Sequence, residues 1–280
     1  MRYRTVDVTP KKAAEWLERL NGTNRALSDK LVNRYALDME FGRWAQNAEA
    51  IKFAGNNRCL LDGQHRLKAI VVSGKTIPML VATGLEESTF TTMDIGRPRG
   101  LGDSLGILGE SNKNTLAAVI RCLYFYDKSD GEVCWTVARF PNPSVPELLE
   151  WYNDSDTIGK SVEFAIEHRA NFYTPTCTAA MRCILLEADY KQPNVDAFLI
   201  EVSEGEGITK SNPTYLCRER LIRAAAERGR RAAAVGHGSR GVSQAEVYYI
   251  LFRTWKAYCN NEQLRRLSLP KKSWSVKAMI

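Results

Sequence analysis

The sequence predicts an α+β protein, with a small sheet-containing N-terminal domain over residues 1–108 and a mostly α-helical domain over 109–280. Three observations lead there. Short apolar runs broken by polar turns fill the N-terminal third, and one of them, at Leu60–Leu67, has the form strand, glycine turn, helix. From Asn112 onward the apolar residues recur at helical spacing, as in Leu116, Val119, Ile120, Leu123 and Tyr124. A hydrophobic content of 44% with 25% charged residues is that of an ordinary globular chain, and 280 residues suffice for one large or two smaller domains.

Taken in order, Val6 and Val8 mark a short first strand. Thr9-Pro10 supplies an N-cap and a first helical residue, where the amide hydrogen that proline lacks has no partner to lose. Ala13, Trp16, Leu17 and Leu20 give the apolar face of that helix, which ends at Asn21-Gly22. Ser28 caps a second helix with Leu31, Val32, Tyr35, Leu37 and Met39 as core positions, and Gly42 ends it. Ala50–Ala54 and Arg58–Leu61, joined by Gly55-Asn56-Asn57, read as a hairpin. Pairing Ala54 with Arg58 sets Glu49 and Ala50 opposite Gly63 and Asp62. A helix then runs from Gln64 to Ser73-Gly74. Ile77–Thr83 is a further strand, whose Pro78 places its start at an edge, and Glu86–Met93 is a short helix. Met93–Asp103 is a loop rich in glycine. Beyond it come a helix after Asn112, an extended segment within Gly131–Pro143, and a helix from Ser144 through Leu148, Leu149 and Trp151. Further helices follow over Ser155–Asn171, Thr174–Tyr190 and Val195–Val202. After a loop at Glu204–Gly207 lies an arginine-rich helical stretch, and Ser243 opens a last helix with Val247, Ile250, Leu251, Trp255 and Tyr258 inside.

The chemistry concentrates in Asp62-Gly63-Gln64-His65-Arg66. A helix N-terminus leaves backbone N–H groups unpaired and carries partial positive charge, so it favours anions. Gly63 admits close approach of the backbone, and Arg66 adds a planar fork of donors suited to phosphate. Glu49, placed at the mouth of this turn by the hairpin pairing, and Asp62 form a carboxylate pair that could hold Mg²⁺ or activate a nucleophile. The alternative is simpler: Asp62 as a helix cap, Arg66 as a solvated helix residue, Glu49 as a strand-end charge in water. The loop with Asp94, Arg97 and Arg99 could close over bound phosphates, Asp94 aiding a metal and the arginines neutralising charge.

The five residues resemble the signature of DGQHR-domain proteins, in the ParB/sulfiredoxin-like superfamily. The wider pattern Gly-x-x-Arg-x-x-Ala is matched by Gly63, Arg66 and Ala69, and the resemblance covers about residues 1–105. It implies a small mixed-sheet domain whose turn and helix start bind the phosphates of a nucleoside triphosphate or diphosphate with Mg²⁺. On the residue pattern itself, Glu49, Asp62, His65 and Asp94 would be the catalytic set, with Asp62 and Glu49 as metal ligands. Gly63, Gln64, His65, Arg66, Arg97 and Arg99 would be the nucleotide-binding set. The loop around Asp94 is similar to the second polar motif of phage DGQHR-type proteins. Gln64 stands where sulfiredoxin has a Cys, and His65 where ParB has a second Arg. These departures argue against sulfinic acid reduction and against a ParB-type CTP clamp.

A net charge of +7 favours a polyanionic partner. Arg218, Arg220, Arg223, Arg228, Arg230 and Arg231 lie on one helical stretch with few acids. Of these, Arg220, Arg223, Arg228, Arg230 and Arg231 are the candidate contacts for DNA phosphates. The seven cysteines are scattered, with no Cys-x-x-Cys and no nearby His, which argues against a structural zinc site and a disulfide framework. No apolar run approaches the ~20 residues of a membrane span, and no signal-peptide core opens the chain. A cytoplasmic protein is expected. Two functions stand open. One is a nucleotide-dependent enzyme acting on or recruited to DNA, by phosphate-ester hydrolysis (NTPase or nuclease) or phosphoryl transfer. The other is a non-enzymatic DNA-binding regulator or DNA-modification-associated factor. Self-association into a homo-oligomer is compatible with both.

Overall fold

The computed structural model describes the chain except for residues 23, 25, 56–58, 94–98, 133–139, 154, 156, 235–242 and 270–273, and leaves the side chains of 90–92 and 228–234 undescribed. Four strands and eleven α-helices make it α+β among those residues. The chain divides into two compact units, Met1–Arg99 with Pro141–Glu150, and Gly100–Phe140 with Trp151–Ile280. The first unit thus ends before residue 108 and takes back a later segment. Ser144 holds that segment by donating from Oγ to the buried Asp38 carboxylate at 2.7 Å, and Arg43 bridges Asp38 and Glu150 at 3.0 and 3.3 Å.

In the first unit, β1 (Arg2–Val8) is followed by α1 (Pro10–Leu20) and α2 (Asp29–Glu40). Then come β2 (Ile51–Ala54), β3 (Cys59–Asp62), α3 (Gln64–Ser73) and β4 (Ile77–Leu85). The sheet order is β1-β4-β2-β3, with β4 and β2 parallel and the outer pairs antiparallel. Helix α3 carries the chain from β3 back to the far side of β2, which makes the sheet mixed. Val8, Ile51, Phe53, Leu60, Met79 and Val81 on the strands bury against Ala13, Ala36, Met39, Leu67 and Ile70 on the helices. Trp16 meets Phe53 edge-on at 5.1 Å between ring centroids.

One expectation changes. The hairpin pairs Ala54 with Cys59 and Phe53 with Leu60, and an irregularity between Lys52 and Phe53 then sets Lys52 opposite Asp62. Lys52, not Ala50, therefore faces Asp62. Strand β4 lies inside the sheet, with its first residues at an edge as Pro78 suggests. Its pairing with β2 begins only at Val81, so Pro78, paired with Asp7, sits where the strand has one neighbour and a missing N–H is tolerated.

In the second unit, α4 (Leu101–Ile107), α5 (Lys113–Lys128) and the end of α6 (Val145–Tyr152) lead to α7 (Thr157–Glu167), α8 (Pro175–Glu187), α9 (Gln192–Ser203), α10 (Pro213–Ala234) and α11 (Gln244–Cys259). Helix α4 replaces part of the expected loop. Leu101 and Leu105 are its buried face, and Asp103 caps it by accepting from Gly100 N at 2.9 Å. Its glycines hid that face while serving the packing, since a Cβ on Gly106 would lie 2.8 Å from Lys113 Cδ of α5. The extended segment expected around Val133, Trp135 and Val137 lies outside the described residues.

Helix α8 is buried along most of its length, from Thr176 to Leu185, so even its polar residues are enclosed. Arg182 is 5% exposed. Its guanidinium donates twice to Asp196 (2.7 and 3.1 Å) and once to Ser161 Oγ (3.0 Å), which engages three of its five N–H donors. Trp255 is buried among Tyr190, Phe198 and Tyr258, a core residue rather than a stacking platform. Among the described residues no helix is long and apolar enough to cross a membrane.

Removing Asp196 strands the Arg182 charge in the core. Asp196→Ala is therefore expected to lower the stability of the second unit by about 3 kcal/mol, read by urea denaturation. An unchanged midpoint would show that the pair carries no such weight.

Candidate functional site

The turn from β3 into α3 is built by one backbone constraint. Gly63 has φ +107° and serves as N-cap of α3, with Leu67 N donating to Gly63 O at 2.9 Å. A Cβ at this position would lie 2.6 Å from Ile51 Cδ1 and 3.3 Å from Ile51 Cα. The close approach that glycine permits is therefore to β2, rather than to a ligand as the sequence suggests. No side chain caps the helix.

Each polar side chain of Asp62–Arg66 then reaches a different segment. Gln64 Oε1 accepts from Asn21 Nδ2 at 3.1 Å, just past α1. His65 Nε2 accepts from the Ser28 backbone N–H at 3.0 Å, at the N-cap of α2. Asn24 adds a third stitch by donating to Leu60 O at 2.6 Å. The connection from α1 to α2 is thus sewn onto β3 and the first turn of α3. Because Nε2 accepts, His65 is neutral there with its proton on Nδ1. That is the arrangement of a framework residue. Of the two ring nitrogens that could hold phosphate or act as a base, Nε2 is engaged by Ser28.

The charged part of the site is a triad. Asp62 Oδ2 accepts from Lys52 Nζ at 2.9 Å and from Arg66 Nη2 at 3.0 Å. The Lys52, Asp62 and Arg66 side chains retain only 22%, 15% and 11% of their exposure. Arg66 Nη1 also donates to the Glu49 carbonyl oxygen. Glu49 thus borders the turn as expected, but through its backbone, and the residue is exposed. The two carboxylates expected to hold Mg²⁺ are not brought together by a shared contact here. The Asp62 oxygen is taken by two cations, and Glu49 offers Arg66 a carbonyl. Among the described residues no group of three or more His, Cys, Asp or Glu side chains could hold a metal ion. Asp94 and Arg97 lie outside the described residues, and Arg99 is exposed.

The arginine stretch falls on α10. Arg223 is exposed and Arg220 half-buried, whereas Arg218 is held by the fold, donating to Val202 O with its guanidinium 5.3 Å from the Phe172 ring. The helix backbone includes Arg228, Arg230 and Arg231, whose side chains lie outside the described part. Burial pushes the thiols of Cys177 and Cys217 up to about 12 and that of Cys183 up to about 11, so these are inert core residues rather than nucleophiles.

Sequence reasoning missed Asn21, Asn24, Ser28 and Lys52. Lys52 carried a readable signal, a lysine between two core residues one strand away from an aspartate, since opposite charges across a sheet pair favourably. The partners in 21–28 carried none, because loop placement is not periodic. No family model, curated protein or solved structure matches the chain.

Two substitutions test this interlock. Gly63→Ala forces a side chain into Ile51 at a positive φ and is expected to cost about 1–3 kcal/mol. His65→Ala leaves the Ser28 amide without its acceptor and is expected to cost about 1–3 kcal/mol. Thermal unfolding of the purified variants measures both, and wild-type melting temperatures would contradict the interlock.

Proposed function

We propose that the first unit binds the phosphates of a nucleoside di- or triphosphate at the start of α3, and that the protein is a ParB/sulfiredoxin-like, DGQHR-type protein that acts on or is recruited to DNA. One observation carries the reading. An α-helix without a side-chain cap begins beside Lys52 and Arg66, two cations that share a single carboxylate oxygen. Two positive charges against one negative leave an excess positive charge in a half-buried place, next to the positive end of a helix dipole. Such a place favours an anion. Arg66 is the direct phosphate contact and Lys52 its neighbour. Gln64 and His65 act as positioning residues that hold the turn in shape. Magnesium enters with the nucleotide as its counter-ion rather than on a protein ligand set.

The basic α10 helix supports nucleic acid as the macromolecular partner, with Arg220 and Arg223 and the adjoining Arg228, Arg230 and Arg231 as electrostatic contacts. Engagement of His65 by Ser28 favours a nucleotide-responsive DNA-binding regulator over a nuclease or phosphotransferase with a histidine base. Hydrolysis and phosphoryl transfer remain the alternative, and turnover of nucleotide by the purified protein is the result that would favour it.

Thermal-shift measurements with the common nucleoside di- and triphosphates, with and without Mg²⁺, test the site. At least one nucleotide is expected to raise the melting temperature of wild-type protein, and Arg66→Ala to abolish the shift. A screen without any shift would overturn the nucleotide reading. Duplex DNA binding is expected to fall steeply between low and moderate salt, and to weaken uniformly across sequences in Arg220→Ala/Arg223→Ala. Salt-independent binding would contradict the electrostatic interface.

A further inference from the structure

We infer that Asp62 is an internal stand-in for a phosphate: it occupies Lys52 and Arg66 in the unliganded protein and is displaced from Lys52 by a ligand carrying more than one negative charge. The inference rests on the nucleotide-phosphate reading above and names the ligand class and the residues that set it.

The geometry is specific. A single oxygen, Asp62 Oδ2, takes both the Lys52 ammonium at 2.9 Å and the Arg66 guanidinium at 3.0 Å. The ammonium has three N–H donors and the guanidinium five. Among the described residues, Lys52 spends one on Asp62, while Arg66 spends one on Asp62 and one on the Glu49 carbonyl. Each cation therefore keeps donors in hand, and the pair keeps an uncompensated positive charge. Arg66 is anchored twice, and its position in the first turn of α3 fixes it relative to the helix amides. Lys52 hangs on Asp62 alone, on a flexible stem, and is the more exposed of the two cations. It is the group that can swing from a carboxylate to a ligand while Asp62 stays with Arg66.

Ligand charge decides the exchange. Lys52 trades a carboxylate, which carries one negative charge, for a phosphate oxygen. The trade is favourable when the incoming group is more negative than the one it replaces, as a terminal phosphate of a polyphosphate chain is. A monoanion gains little over Asp62. The site is thereby tuned to di- and triphosphate ends, and Asp62 works against binding rather than for it. This role is opposite in sign to that of a metal ligand or a general base.

Isothermal titration of inorganic tripolyphosphate into the full chain, at low salt and without divalent cations, tests this directly. Arg66→Ala serves as the control that removes the site and leaves the arginine stretch of α10 intact. Lys52→Met is expected to bind about tenfold more weakly than wild type, and Lys52→Arg to recover most of the loss. Asp62→Asn, which removes the competing charge, is expected to bind several-fold more tightly. Circular dichroism and melting curves accompany each variant. If Lys52→Met misfolds, Asp62→Asn and Lys52→Arg still decide the matter. Wild-type affinity in both Lys52→Met and Asp62→Asn, with Arg66→Ala still defective, would overturn the stand-in while leaving the phosphate site intact. Weaker binding in a folded Asp62→Asn would overturn it as well. No tripolyphosphate binding by wild-type protein would remove the site and this inference together.

Discussion

A single carboxylate oxygen gathers the chemistry of the first unit. Asp62 ends β3, Lys52 projects from the neighbouring strand, and Arg66 rises from the first turn of α3, and all three meet at Oδ2. Their meeting depends on Gly63, whose left-handed backbone lets the chain turn within contact of Ile51. A larger residue there would push α3 away from β2 and separate the three charges. Charges this enclosed are costly unless paired, and the pairing here is lopsided by one cation. That imbalance is what supports the proposal of an anion at this junction.

Around the triad, the other polar residues of the motif do structural work. Gln64 and His65 face away from the charges into the connection between α1 and α2, where Asn21 and the Ser28 amide meet them. Five adjacent residues thus tie together two helices, two strands and a loop. The histidine's hydrogen bond lies at the N-terminus of α2, and so the turn and the helices over it are linked by side-chain contacts. Binding at the α3 start would act on a preorganised frame, which limits the entropy lost on ligand capture.

The element order was legible in the chain, and the reasons are local. Thr9-Pro10 caps α1, with Thr9 accepting from Lys12 N, and Ser243 caps α11 with Glu246 in reciprocal contact. Gly74, at φ +67°, stops α3 where the sequence suggests. Helix α4 was illegible because glycines at 100, 102 and 106 resemble a loop until the close packing on α5 is known. The hairpin register is not legible in strand composition: Ala54 pairs with Cys59, and a slip between Lys52 and Phe53 puts Lys52 rather than Ala50 opposite Asp62. For the site, Asp62–Arg66 stood out by residue type alone. The split between its charge-bearing members and its framework members did not, since it follows from which segments fold over them. A hydrogen bond from Ser28 to His65 spans 37 positions, and nothing in either neighbourhood announces it.

Backbone amide resonances give the most direct test of the proposed anion site. In a ¹⁵N-TROSY titration with inorganic tripolyphosphate, the amides of Gly63, Gln64, His65 and Arg66 should shift in a saturable way, together with that of Lys52. Arg66→Ala should erase those shifts. Perturbations confined to the arginine-bearing stretch of α10, with the β3–α3 turn unmoved at saturation, would contradict a phosphate site at the start of α3.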